Sequence, residues 1–140
     1  MKNLRDKKYL LLDLDGCVYG KHNNYPLEKV FGQVSRRMTK FISERLKIDI
    51  EAAKEMQKNY FYKYNTSLNG LMIHHDIPPE EFLSYVHSID LTFMKKDKVM
   101  RNELELLNME KFIFTNGSAK HAENILTHLG IFDLFGRDKV

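Results

Sequence analysis

The sequence contains one cysteine, Cys17, in 140 residues. A lone cysteine cannot close an internal disulfide or build a cysteine-based metal knuckle, which fits a reducing compartment. Long hydrophobic runs are missing as well. After the basic start MKNLRDKK, the first apolar run extends only from Tyr9 to Leu12 before Asp13 interrupts it. That is too short for a signal peptide or a transmembrane span, so a soluble cytoplasmic protein is the default expectation. Charge of one sign does not collect either: 22 basic and 19 acidic residues leave a formal +3, with lysines and arginines scattered. The tightest cluster, Lys95-Lys96-Asp97-Lys98, is broken by an acid and reads as a solvated turn. Neither nucleic acid nor a membrane has a footprint here. Internal repeats, low-complexity segments and glycine-serine linkers are also absent.

With 43% hydrophobic and 29% charged residues, the chain has the balance of a globular domain. The run YLLLDL at 9–14 ends in acids and Gly16, and reads as a strand buried on both faces of a parallel sheet. A flexible stretch from Gly20 to Tyr25 follows. From Pro26, apolar Leu27, Val30, Phe31, Val34, Met38, Phe41, Ile42 and Leu46 recur at three and four, predicting a helix. Asp49 is the expected N-cap of a second helix carrying Ile50, Ala53, Met56, Tyr60, Phe61 and Tyr64 on one side. Shorter helices are expected at 66–74 and 78–89, and another at 97–108. Lys111-Phe112-Ile113-Phe114 then reads as a second strand. Ala122, Ile125, Leu126 and Leu129, with Gly130 just beyond, mark an amphipathic last helix with a glycine stop. This order predicts an α/β core at 1–18 and 93–140, interrupted by an all-helical insertion at 19–92.

The chemistry gathers at the two strand ends. Asp13 and Asp15 are two apart, so in an extended chain they share a face where the strand leaves the sheet, the edge at which open α/β sheets bind ligands. Two close carboxylates can divide labour, one ionised as nucleophile or metal ligand and the other passing a proton. They also form a hard oxygen site suited to magnesium. An EF-hand register fails, because Val18 falls where that loop needs glycine. The second strand ends in Thr115-Asn116-Gly117, which offers a hydroxyl, an amide and backbone N–H groups beside a helix amino terminus, a corner suited to phosphate.

These two motifs, Asp13-Leu14-Asp15-Gly16-Cys17 and Phe112-Ile113-Phe114-Thr115-Asn116-Gly117, resemble the haloacid dehalogenase superfamily. More narrowly, DLDGCVY, YFYKYNTSLNGLMIHHDI and FIFTNGSAKHAENILTHLGIFDLF are similar to the pyrimidine 5'-nucleotidase branch. The resemblance implies a partial Rossmann-like parallel-sheet core with a helical cap. It implies that Asp13 is the nucleophile, forming an aspartyl phosphate, and that Asp15 is the acid and base. Magnesium would be held by the Asp13 carboxylate and the Asp15 backbone carbonyl, and phosphate by Leu14, Thr115, Asn116 and Gly117. The implied substrate is a small phosphorylated metabolite such as a nucleoside monophosphate. Cys17 takes a position usually held by threonine or valine, where a small, mostly buried side chain is expected.

The family also uses a lysine after the second motif and an acidic motif on a later strand, and neither is recognisable in this sequence. Lys139 reads as a terminal surface lysine. The alternative expectation is therefore a truncated, inactive remnant that acts as a binding module or needs a complementing chain. Other residues read as ordinary structure. His74 and His75 are adjacent and so about a hundred degrees apart on a helix. His121 and His128 are expected to face solvent. Tyr60, Phe61 and Tyr64 match a core stripe that leaves Tyr62 over, and Asn65, Thr66, Ser67 and Asn69 read as caps, with substrate contact as the alternative.

Overall fold

A computed structural model describes residues 6–20, 25–135 and 137–140. The described residues form a mixed α/β structure with six α-helices and one two-stranded parallel sheet. By internal contacts the chain divides into two units, Met1–Glu28 with Asp90–Val140, and Lys29–Ile89.

The first unit holds β1 (Tyr9–Asp13) and β2 (Glu110–Phe114), paired in parallel from Tyr9 opposite Glu110 to Asp13 opposite Phe114. Parallel partners cannot be joined by a hairpin, so a crossover connection between them is a topological necessity. The expectation that β1 is buried on both faces is corrected, since Tyr9 and Leu11 are 65% and 66% exposed while Leu10 and Leu12 are half-buried. Consecutive leucines hide this period-two alternation, because residue type does not distinguish the faces. Of the expected flexible stretch, residues 21–24 lie outside those described. At its end the Tyr25 hydroxyl accepts from the Lys95 N–H at 2.9 Å and donates to the Lys95 carbonyl at 3.1 Å.

α5 (Lys98–Leu106) and α6 (Ala119–Leu129) complete this unit. Asp97 caps α5 by accepting from the Met100 N–H at 2.9 Å. α6 buries Ala122, Ile125, Leu126 and Leu129. It stops at Gly130, whose φ of +74° is left-handed; Ile131 N–H reaches Leu126 O and Gly130 N–H reaches Thr127 O, a Schellman ending. Arg101 ties the two helices together, donating to the Gly130 carbonyl at 2.7 Å and to both Asp133 carboxylate oxygens at 2.8 Å.

The second unit holds most of α1 (Leu27–Leu46), with α2 (Ile50–Tyr64), α3 (Ser67–His75) and α4 (Pro79–Val86). Val30, Val34, Phe41 and Ile42 form the buried stripe of α1, whereas Phe31 is 44% exposed. Phe41 meets Phe82 edge-on at 5.2 Å, a favoured aromatic arrangement. Asp49 caps α2, and Thr66 caps α3 through the Asn69 N–H at 3.1 Å. α4 is shorter than expected, ending at Val86. Phe61 is corrected from core to surface, at 55% exposed, because only Ala53 is fully buried on α2. The polar reading of His74 and His75 is local: His75 Nε2 lies 2.8 Å from the Tyr60 hydroxyl and His74 Nε2 lies 2.5 Å from that of Tyr64.

Candidate active site

Because β1 and β2 are parallel and Asp13 pairs with Phe114, the chain leaves both strands at the same edge, with Leu14 and Thr115 beginning adjacent loops. This shared edge brings the two sequence motifs together. Asp13, the last residue of β1, is exposed. The strand stops there, so the period-two rule does not extend to Asp15, which sits in the turn that follows.

That turn is tightly held. The Val18 N–H donates to the Leu14 carbonyl at 3.0 Å and to the Asp13 carbonyl at 3.3 Å. Gly16 has φ +80°, a left-handed conformation open to glycine at little cost. Leu14, Val18 and Tyr19 are buried beneath it. Cys17, by contrast, is exposed. The expectation of a mostly buried side chain there is corrected, since the turn buries its neighbours Leu14 and Val18 instead.

The Tyr19 hydroxyl donates to Asp15 Oδ1. Burial first, then the charge and hydrogen bond of Asp15, and last the charge of Asp13, hold the Tyr19 phenol well above its ordinary range. It therefore remains a protonated donor throughout the neutral range. His121 Nε2 lies 3.9 Å from the same Oδ1. His121 is only 3% exposed, which corrects the expectation of a solvent-facing ring.

Spacing could have revealed this. His121 lies four residues before Ile125 and eight before Leu129, on the buried stripe of α6. His128 instead takes a local contact at 2.8 Å from Nδ1 to the Asn124 carbonyl. Tyr19 gave no comparable signal, because a tyrosine in an apolar loop does not announce which carboxylate its hydroxyl will reach.

On the neighbouring loop, Thr115 Oγ1 accepts from the Gly117 N–H at 3.0 Å. That backbone donor, expected to be open to phosphate, is thus already engaged. The Thr115 hydroxyl proton remains directed by rotation, as it is not used in accepting, and Asn116 is exposed beside it. Ser118 caps α6 through the His121 N–H at 3.1 Å, so the α6 amino terminus begins immediately after the Thr115 corner.

Two cations of this unit are committed elsewhere. Lys111 Nζ donates to the Leu107 and Met109 carbonyls at 2.9 and 3.0 Å, and Lys139 Nζ lies 3.3 Å from Glu110 Oε2, at the end of β2 opposite the Thr115 edge. Among the described residues no cluster of three or more His, Cys, Asp or Glu is suited to a metal ion. No helix among them is long and apolar enough to cross a membrane.

No protein-family model matches the chain. It is similar to Phosphate metabolism protein 8 of Saccharomyces cerevisiae, with 26% identity over an alignment of 141 residues that covers 92% of this chain and 42% of that relative. The chain therefore spans less than half the length of that curated relative.

Proposed function

We propose that this chain is a haloacid-dehalogenase-type phosphomonoesterase of the pyrimidine 5'-nucleotidase kind, with a partial Rossmann-like core at 1–18 and 93–140 and a helical cap at 19–92. The observation that carries this reading is the parallel register that sets Asp13 beside the Thr115 loop at one sheet edge. The similarity to a phosphate metabolism protein agrees with a phosphorylated small-molecule substrate.

In this mechanism the Asp13 carboxylate attacks phosphorus, and the bond from phosphorus to the leaving oxygen breaks while Asp15 gives that oxygen a proton. Asp15, now ionised, takes a proton from water as it attacks the aspartyl phosphate. Inorganic phosphate leaves and the Asp13 carboxylate is restored. Thr115 and Asn116 donate to the phosphoryl oxygens, where charge must be neutralised as an anion approaches an anion.

Magnesium fits the donor set in a limited way. The Asp13 carboxylate and the Asp15 backbone carbonyl are hard oxygen ligands, and magnesium is commonly held by one or two carboxylates plus water and substrate phosphate. When bound it would supply charge stabilisation to the phosphoryl group. With so few protein ligands, its affinity for the chain without substrate is expected to be weak.

The test is release of inorganic phosphate from a nucleoside monophosphate in the presence of magnesium. The chain should turn over, and Asp13→Asn should abolish release; equal release by both proteins would contradict the mechanism.

The exposed apolar face of the sheet supports a second reading. Tyr9, Leu11 and Phe114 are 64–66% exposed there, and a two-stranded sheet has unpaired edges. On this reading the chain is catalytically silent and serves as a binding module, or becomes active only with a complementing chain. Turnover by the isolated monomer at a rate proportional to its concentration would rule this out.

A further inference from the structure

Among the contacts of Asp15 with the described residues are two side chains that the proposed chemistry does not otherwise use, Tyr19 and His121. Tyr19 is fully buried and its backbone forms a parallel bridge with Asp15. The loop bearing it is closed on itself: a Cβ on Gly20, whose φ is +107°, would lie 3.2 Å from the Leu27 side chain and 3.3 Å from the Gly16 Cα. A phenol on such a loop has little freedom, so its hydroxyl fixes the oxygen that it reaches. His121 approaches from α6, its backbone N–H pinned by Ser118 and its ring buried. The Tyr19 hydrogen bond is made to Oδ1, and His121 Nε2 lies 3.9 Å from the same oxygen, beyond hydrogen-bond reach.

We infer that Tyr19 is a positioning residue that anchors the Asp15 carboxyl through Oδ1, with the buried His121 ring packed beside the same oxygen, so that the acid is held in place to protonate the leaving oxygen. This inference rests on the phosphomonoesterase reading above. His121 also links the two halves of the site, because its helix starts directly after Thr115-Asn116-Gly117.

A group that positions a general acid matters in proportion to how much the leaving group needs a proton. An alkoxide leaving group from a nucleoside 5'-phosphate needs it, whereas 4-nitrophenolate leaves readily without it. Tyr19→Phe keeps the buried ring and removes only the hydroxyl. It should lower kcat on a nucleoside 5'-phosphate by about ten- to a hundred-fold, the penalty of a small misplacement, with much less effect on 4-nitrophenyl phosphate and on KM. His121→Ala should show the same imbalance, and His121→Gln, which can present a nitrogen near the Nε2 position, should recover part of the loss.

A merely structural role for either residue would depress both esters alike. Equal losses on both, in a wild-type chain that turns over, would overturn this inference and leave the phosphomonoesterase reading intact. Carboxyl carbon NMR of Asp15 without substrate provides a readout independent of turnover. Its resonance should move in Tyr19→Phe, and an unmoved resonance would overturn the anchoring even in an inactive chain. Absence of turnover by the wild type on both esters would instead overturn the phosphomonoesterase reading.

Discussion

In the proposed mechanism Thr115 serves two tasks at this sheet edge. Its oxygen accepts from the Gly117 N–H, which holds the loop, while its hydroxyl proton can be given to a phosphoryl oxygen. Thr115→Val keeps the shape and removes both. Loss of one preorganised donor at a transition state typically costs about a hundred- to a thousand-fold in kcat. We expect a fall of that order in phosphate release, largely restored by Thr115→Ser, with thermal stability little changed. A rate within a few-fold of wild type would mean that Thr115 serves the loop alone.

Residue identity pointed to this edge because a hydroxyl and two acids at strand ends have few other uses in combination. It did not convey the environment of His121 or Cys17. Those depend on which side of a turn or helix meets the rest of the unit.

At the scale of elements, the α2–α3 pair depends on close approach at Gly70. A Cβ there would fall 2.4 Å from the Tyr60 ring, nearer than any real contact. Gly70→Ala favours the helix intrinsically by roughly 1 kcal/mol, yet overpacking of this kind costs about 1–3 kcal/mol. With the intruding ring anchored through its hydroxyl to His75, the steric cost should prevail, and the urea midpoint should fall. Tyr60→Ala removes the ring carbons but keeps the Cβ, which itself would lie 2.6 Å from the added Cβ, so in that background the penalty of the alanine change should shrink without vanishing. An unchanged midpoint in the single variant would show that the helices part easily.

Element positions were legible because their signals are local. Asp49, Thr66, Asp97 and Gly130 cap or stop helices through contacts within a few residues. Exposure along β1 was not legible, since Leu10, Leu11 and Leu12 are identical in type and differ only in what lies across the sheet. Nor was the surface position of Phe61, whose spacing fits a buried stripe as well as Tyr60 does.

For the whole molecule, the first unit depends on charge as well as on packing. Hydrogen bonds from Arg101 hold the Asp133 carboxyl below the ordinary carboxylate range. A carboxyl group with a depressed folded pKa contributes stability that is present above its unfolded value of about 3.9 and is lost as pH falls through the folded one. Asp133 is largely exposed, so screening keeps this contribution small. Asp133→Asn should therefore lower the thermal midpoint modestly at about pH 7, with the gap from wild type closing as pH falls through the lowered pKa of Asp133. A gap that persists unchanged in acid would assign the effect to something other than this ion pair.

The α/β order was readable from the succession of periods in the sequence, but the parallel register was not. Register depends on pairing across a long helical excursion, and nothing local to Asp13 specifies Phe114 as its partner. That pairing brings the two motifs to one sheet edge, and it underlies the central proposal that Asp13 is a phosphoryl-accepting nucleophile. The most direct measurement is to quench the chain with borohydride during turnover of a phosphomonoester with magnesium and to sequence its peptides by mass spectrometry. An aspartyl phosphate is reduced to homoserine. Homoserine at position 13, absent without substrate, is the predicted result, and turnover that leaves Asp13 unreduced while marking another residue would contradict it.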